Sequence, residues 1–413
     1  MSDSPTQAPA NGGGLTWILG ATVVAGGLGY LIQAAVPAFL TGEQYVVFSV
    51  FWSVVYLVVS GLAGVQQETT RASRSSDTGR GWPILRRFAS IYAVGAALVI
   101  AASAFFWAPR VFGDHAVALV AALAAAAVGY TFVAVISGAL YGVRDWRGVA
   151  GMTVTDAVLR AITVGVAVVL GLGVAVTGWA VALPFAAAAA ILWIVTGRGI
   201  RNRVEVDATL RVLLRQSLQT VGASIATGVM ISGLPFLLGL APLGVDAALL
   251  ASLILVITLT RAPLVIPLLA LQSYLVVTLR DHPAQARRRV LTWGAGLLAL
   301  TAVLAGLAVF VGPWVVGLLY GDRYELPSGA YAAIVGSAGL TGLLCITGPA
   351  VLSAQRHTAY LAGWATASVV TVATLFVPID GLTRVLVALV AGPIVGVVVH
   401  AVTIARRRPT ATA

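Results

Sequence analysis

Two arginines stand inside apolar stretches, where their charge is expensive. Arg160 lies thirteen residues past Arg147, about 20 Å along a helix at 1.5 Å per residue. Arg261 lies nineteen residues from both Pro242 and Arg280. A guanidinium at such depth in a bilayer costs at least about 2.5–3.5 kcal/mol and usually faces a cavity on a substrate path. For Arg160 a second reading stays open, because Asp156 sits four residues before it on the same helix face and can hold it in an internal ion pair. Arg261 has no acid at i±3 or i±4. The nearest in sequence, Asp246, is about 22 Å away along the helix. Pro263 and Pro267 follow it. Each removes a backbone donor and kinks a helix, and the freed carbonyls are tolerated at depth only inside protein or beside a cavity. The stretch reads as a long, bent, cavity-lining helix.

Uncharged and interfacial polar groups flank these two. Gln33 and Gln272 lie deep, each suited to a ligand contact or to an interhelical bond. Gln67, Glu68 and Arg71 end the second apolar stretch, and Arg215 and Gln219 begin the seventh. Together they make either a cationic vestibule or ordinary snorkelling helix ends. All 25 basic residues are arginines. Without lysine there is no Walker A loop and no Schiff base. The one cysteine, Cys345, removes disulfides, zinc clusters and c-type haem. His115, His282, His357 and His400 have no metal-ligand spacing. No metal, cofactor or nucleic-acid partner is expected.

The elements that position these residues follow from composition. Of 413 residues, 59% are hydrophobic and 9% charged, against about 25% charged in a soluble domain. At about 20 residues per span, the apolar content allows about twelve. Hydropathy places spans near 15–40, 44–66, 84–108, 115–141, 148–171, 174–197, 214–240, 245–279, 289–319, 329–354, 358–378 and 383–405. Loops on one side and the tail carry twenty arginines; the opposite loops carry Arg110, Arg323 and Arg384. By the positive-inside rule, both termini are cytoplasmic. The expected organisation is an all-α polytopic membrane protein. Residues 1–14 form a disordered tail, 15–197 a first lobe, 198–213 a cytoplasmic linker, 214–405 a second lobe and 406–413 a basic tail. Within Val204 to Leu214 the apolar spacing suits an interfacial helix. Tryptophans near span ends read as belt residues.

Several motifs, in order along the chain, carry a family likeness. Val36-Pro-Ala-Phe-Leu-Thr-Gly-Glu-Gln-Tyr precedes Ser60-Gly-Leu-Ala-Gly and Gln67-Glu-Thr-Thr-Arg71. Gly138-Ala-Leu-Tyr-Gly-Val-Arg144, Leu259-Thr-Arg-Ala-Pro263 and Leu318-Leu-Tyr-Gly-Asp-Arg-Tyr324 follow. With twelve spans, the chain resembles polysaccharide flippases of the MOP exporter superfamily (Wzx-type, related to MATE exporters and the lipid II flippase). The likeness implies two six-span lobes about a pseudo-twofold, rocking between inward-open and outward-open states. The implied substrate is a lipid-linked oligosaccharide in a bacterial cytoplasmic membrane, and glycosyltransferases or a polymerase of the same pathway are possible partners. A monomer is expected. Arginine pairs phosphate oxygens in two places, so Arg160, Arg261 and Arg71 are the expected head-group contacts, with Asp156, Gln33 and Gln272 beside them. Span 7 departs from the family pattern, with Gly233 and Pro235 where an acid often sits.

Other functions fit less well. A MATE-like drug exporter moves cations and needs cavity acids, and the one deep acid, Asp156, has Arg160 beside it. A polytopic glycosyltransferase or polymerase would carry an acidic pair in the first outer loop or a large outer loop. Only Glu43 is in the first, and no outer loop is large. No enzymatic activity is expected. The basic signature of major-facilitator transporters between spans 2 and 3 is not reproduced by Arg74 to Gly81.

Overall fold

The computed structural model describes residues 12–77 and 79–405. They form helices α1 (Gly12–Ala35), α2 (Gly42–Ala72), α3 (Trp82–Phe112), α4 (Ala116–Gly142), α5 (Trp146–Val169) and α6 (Gly173–Arg203). Then follow α7 (Leu210–Ile231), α8 (Leu234–Leu240), α9 (Ala247–Ala270), α10 (Gln272–Asp281), α11 (Ala286–Tyr320), α12 (Ser328–Ser353), α13 (His357–Thr374) and α14 (Gly381–Ala405). Among the described residues nine stretches are helical, long and apolar enough to cross a membrane, or ten with α7 and α8 as one span bent by 75°. One of the nine, Trp82–Gly142, holds both α3 and α4, which pack on each other across the turn at Gly113–His115. The chain is a multi-pass membrane protein, and its described residues are helical apart from turns and one two-stranded sheet.

Helix starts are set by side chains that accept the orphan N–H groups of a first turn. Thr41 and Gln44 form a reciprocal capping box on α2. Asp145 accepts from the Gly148 amide at 3.0 Å, Asp246 from Leu249 at 2.7 Å, and Asp380 from Thr383 at 3.0 Å. These three acids thus sit at helix starts, whereas Asp156 lies within α5.

Packing falls into two sets with corresponding hubs. In the first, α4 packs on α2, α3 and α6; in the second, α12 packs on α9, α10, α11, α13 and α14. The turns around the hubs repeat. α3 and α11 both end at a glycine with positive φ, Gly113 (51°) and Gly321 (65°). Each glycine opens a short 3-10 turn with an aspartate second, Gly-Asp-His and Gly-Asp-Arg. Beyond each hub stands a non-glycine with positive φ, Arg144 (58°) and Gln355 (61°). Such conformations are uncommon outside glycine, and these two stand at corresponding places beyond the two hubs.

The two sets meet along unequal seams. Between α2 and α7 the backbones touch: a Cβ on Gly64 would lie 2.5 Å from the Val221 amide nitrogen, and one on Gly228 2.6 Å from the Ser60 Cβ. Small residues give this close approach, which drives helix association in lipid. Between α1 and α9 the packing is looser, and Gly29 of α1, on the cavity between them, has open space around it.

The reading of the linker is corrected here. Val204–Val206 is not the start of an interfacial helix but a strand, paired antiparallel with Ser73–Ser75. The β-branched valines favour extended backbone, and Arg74 reaches Glu205 at 3.3 Å and Asp207 at 2.7 Å across the pair. The part of the expected linker from 198 to 203 continues α6 as helix. The long helix expected around Pro263 and Pro267 is α9, which runs through both prolines and ends at Ala270, with α10 starting at Gln272. Each proline deletes one bond only, and the Leu271 amide still reaches the Pro267 carbonyl at 3.1 Å. Of the expected tails, Gly12–Gly14 are helical, while 1–11 and 406–413 lie outside the described residues.

Candidate functional site

The largest concentration of deep polar groups surrounds a cavity of about 270 Å³ where α1, α2, α9 and the α7–α8 break converge. Gln33 and Tyr30 enter from α1, Trp52 and Tyr56 from α2, Ser232 from the break and Arg261 from α9. None of the acids among the described residues lines it.

Local backbone chemistry places Arg261. α7 stops at Ile231 because Gly233 and Pro235 follow, so the carbonyls of its last turn lack helical partners. One of these, on Met230, accepts from Arg261 Nη2 at 3.4 Å, and the Thr341 hydroxyl on α12 accepts from the same nitrogen at 2.9 Å. No carboxylate pairs with it among the described residues, and its Nε and Nη1 have no protein partner there. A guanidinium keeps its charge in proteins, so the cavity carries one uncompensated positive charge with donors to spare. Two residues earlier, Pro263 leaves the Leu259 carbonyl without its helical donor. The Tyr30 hydroxyl on α1 donates to that carbonyl at 3.2 Å.

Arg160 has the opposite surroundings. Its Nη2 donates to Asp156 Oδ1 at 2.5 Å, its Nη1 to the Tyr56 hydroxyl at 2.8 Å and its Nε to the Val181 carbonyl at 3.3 Å. Its guanidinium lies 4.0 Å over the Phe185 ring, and 4% of the residue is exposed. Tyr56 stands between this cluster and the cavity, touching both. Neither Arg160 nor Asp156 lines the cavity wall.

The remaining expected residues are spread out. Arg71 is exposed at the arginine-rich end of α2, paired with buried Glu68 at 2.6 Å and with Gln216 of α7. Gln67, Arg215 and Gln219 are exposed on the same face. Gln272 lies outside the central cavity beside Cys345, with its Nε2 unpartnered. Gln33 does enter the cavity, and its Oε1 is buried with no partner among the described residues.

Sequence reasoning missed the aromatic wall. Trp52 and Tyr56 stack with centroids 4.9 Å apart. Their i, i+4 spacing was visible as a shared face, but in so aromatic a span it did not stand out from lipid-facing residues. It also missed a closure on the arginine-poor face. The Tyr320 hydroxyl donates to the Ala34 carbonyl at 2.7 Å, that of Tyr324 to Pro37 at 3.1 Å, and Arg323 to Ala38 at 3.3 Å. Tyr45 meets Tyr324 edge to face at 5.7 Å. These contacts tie the end of α1 to the α11–α12 turn on that face. Arg384, expected only as a loop charge, is buried and donates to the Ile379 and Pro242 carbonyls at 2.6 and 2.8 Å.

No protein-family model matches the chain. It is 31% identical over 400 residues to the uncharacterized protein Mb3654 of Mycobacterium bovis, covering 94% of this chain and 90% of that one. It is 30% identical over 421 residues to the uncharacterized protein Rv1510 of Mycobacterium tuberculosis, covering 98% and 94%. Among solved structures, it is similar to the inward-facing conformation of a multidrug resistance MATE family transporter of the MOP superfamily. The TM-score is 0.69 at 16% identity over 95% of this chain and 96% of that one. Against an outward-facing conformation described in the same words, the TM-score is 0.59 at 14% identity over 95% of each chain.

Proposed function

This chain belongs to one family with the mycobacterial proteins Mb3654 and Rv1510 and has the fold of MOP-superfamily transporters; from that premise we propose that it is a flippase for a lipid-linked oligosaccharide. It works by alternating access in a bacterial cytoplasmic membrane, with twelve spans in two six-helix lobes and both termini cytoplasmic. The observation that carries this reading is Arg261: a full positive charge with free donors, in a cavity that no acid among the described residues lines. Such a group suits the diphosphate of a lipid-linked sugar, whose oxygens accept two parallel bonds from a guanidinium. The Gln33 carbonyl oxygen and the Trp52 and Tyr56 rings suit sugar hydroxyls and the apolar faces of sugar rings. The loose α1–α9 seam offers a way for the lipid tail to remain in the bilayer while the head enters.

The tyrosine closure and the higher TM-score to an inward-facing neighbour support a state open to the cytoplasm. Rocking outward requires breaking the Tyr320, Tyr324 and Arg323 contacts on backbone carbonyls and forming others between the cytoplasmic helix ends. Arg71 and Gln216 already join α2 to α7 there, so the α2–α7 seam is the natural pivot.

A second reading, a small-molecule exporter, is favoured by the multidrug transporters among the structural neighbours. Reconstitution separates the two. Proteoliposomes containing a fluorescent lipid-diphosphate sugar should show head-group translocation, read by quencher accessibility. Export of cationic dyes with no lipid translocation would establish the second reading instead.

A further inference from the structure

Away from the central cavity, α3 and α6 each pack along α4 and leave a groove of about 640 Å³ between them. Its floor is made of small residues. Gly129 of α4 lies against α6 so closely that a Cβ there would stand 2.7 Å from the Ala186 amide nitrogen. Ala190 continues the floor with only a methyl group facing outward. The groove thus stays open because both helices use their backbones as its base.

Its mouth is built differently. On the arginine-rich face stand Arg86, near the start of α3, and Arg201, in the last turn of α6. Both are exposed, and neither makes a hydrogen bond or ion pair with another described residue. Of the acids of this face, Glu205 and Asp207 hold Arg74, Glu68 holds Arg71 and Asp281 holds Arg280, while Asp77, exposed between α2 and α3, is in no ion pair with a described residue. Arg201 is fixed over the Trp193 ring at 5.8 Å, and Trp193 stacks on Trp82 with centroids 4.3 Å apart. Two unneutralised guanidiniums therefore flank a tryptophan pair at the level where tryptophans mark the membrane interface. From Arg201 to Ala186 the groove follows fifteen residues of α6, about 22 Å. That is the depth of one bilayer leaflet from head group to chain end, about half of 40–45 Å.

We propose that this groove binds an anionic glycerophospholipid of the leaflet on the arginine-rich side, with its phosphate between Arg86 and Arg201 and one acyl chain over Gly129 and Ala190. Charge selects the occupant. A net anionic head gains from both guanidiniums, whereas a zwitterionic head brings its own cation to the same place. Basic pockets between spans on this side of a membrane bind such heads for this reason. The site shares no residue with the central cavity and does not depend on what is transported. Bound lipid stabilises the folded chain by mass action and braces α3 against α6, both of which pack on α4.

The test uses the full chain in detergent, with phosphatidylglycerol and phosphatidylcholine added separately and read by retained mass and by thermal unfolding. Phosphatidylglycerol should be retained by the wild type and raise its unfolding temperature; phosphatidylcholine should do neither. Arg86→Gln with Arg201→Gln should weaken phosphatidylglycerol binding at least about tenfold, with the lipid-free unfolding temperature unchanged. Arg87→Gln with Arg288→Gln removes equal charge outside the groove and should leave binding intact. Ala190→Phe should abolish retention by filling the floor without altering charge, and it carries the test alone if the double arginine variant fails to fold. Equal response to the two lipids, equal loss in the control pair, or full retention by Ala190→Phe would overturn the proposal.

Discussion

Arg160 and Arg261 make a natural experiment within one chain. Each is the fifteenth residue of a 24-residue helix, and each costs the bilayer the same. Around Arg160 the protein neutralises the charge completely, with a carboxylate, a phenol, a carbonyl and an aromatic face. Around Arg261 it supplies one carbonyl and one hydroxyl and leaves the remaining donors facing a cavity. A buried charge that is fully paired holds helices together. One left partly unpaired is held ready for something else, and its cost is borne by the rest of the fold.

Breaking the paired site should have the largest effect. Arg160→Ala strands the Asp156 carboxylate and should destabilise the protein by about 3–5 kcal/mol, read by thermal unfolding in detergent. Combining it with Asp156→Asn should restore most of that loss. Wild-type unfolding by Arg160→Ala would show that the cluster is not a structural tie. Arg261→Ala should do the reverse. Losing a charged contact to substrate costs about 1.5–3 kcal/mol, a ten- to hundredfold fall in head-group translocation, while unfolding shifts little. Arg261→Lys keeps the charge without the planar fork and should fall between. If Arg261→Ala translocates like the wild type, the cavity assignment fails.

Smaller effects calibrate the pair. Tyr30→Phe removes the hydroxyl that occupies the Leu259 carbonyl, about 0.5–1.5 kcal/mol. It should shift the balance between inward-open and outward-open states, measured as a change in spin-label distances across α1 and α9. No change would mean that this bond is made equally in both states. Arg74→Gln tests an ion pair without depth. Its side chain is more than half exposed, so about 0–1 kcal/mol is expected. A larger loss would show that the small sheet, rather than the ion pair, depends on Arg74.

Much of this was legible in the chain. Hydropathy located the helical rods, since a bilayer demands long apolar segments with internally satisfied backbones. The depth of both arginines followed from counting residues. The i, i+4 spacing of Asp156 and Arg160 already contained their ion pair. The short sheet was hidden because three residues show no periodicity and their partner lies about 130 positions away. The break between α9 and α10 at Leu271 was not legible, because proline weakens a helix without dictating where it yields. The aromatic wall of Trp52 and Tyr56 was visible as a face but not as a cavity face.

The sequence by itself determined that this chain lives in a membrane, roughly where its helices run, and that two of its charges are out of place there. Only the tertiary structure decided which of the two is spoken for. Pairing within a helix is local, and four residues suffice to announce it. A cavity is made where α1, α2, α7 and α9 meet from distant parts of the chain, and whether a guanidinium there finds a partner depends on all of them at once.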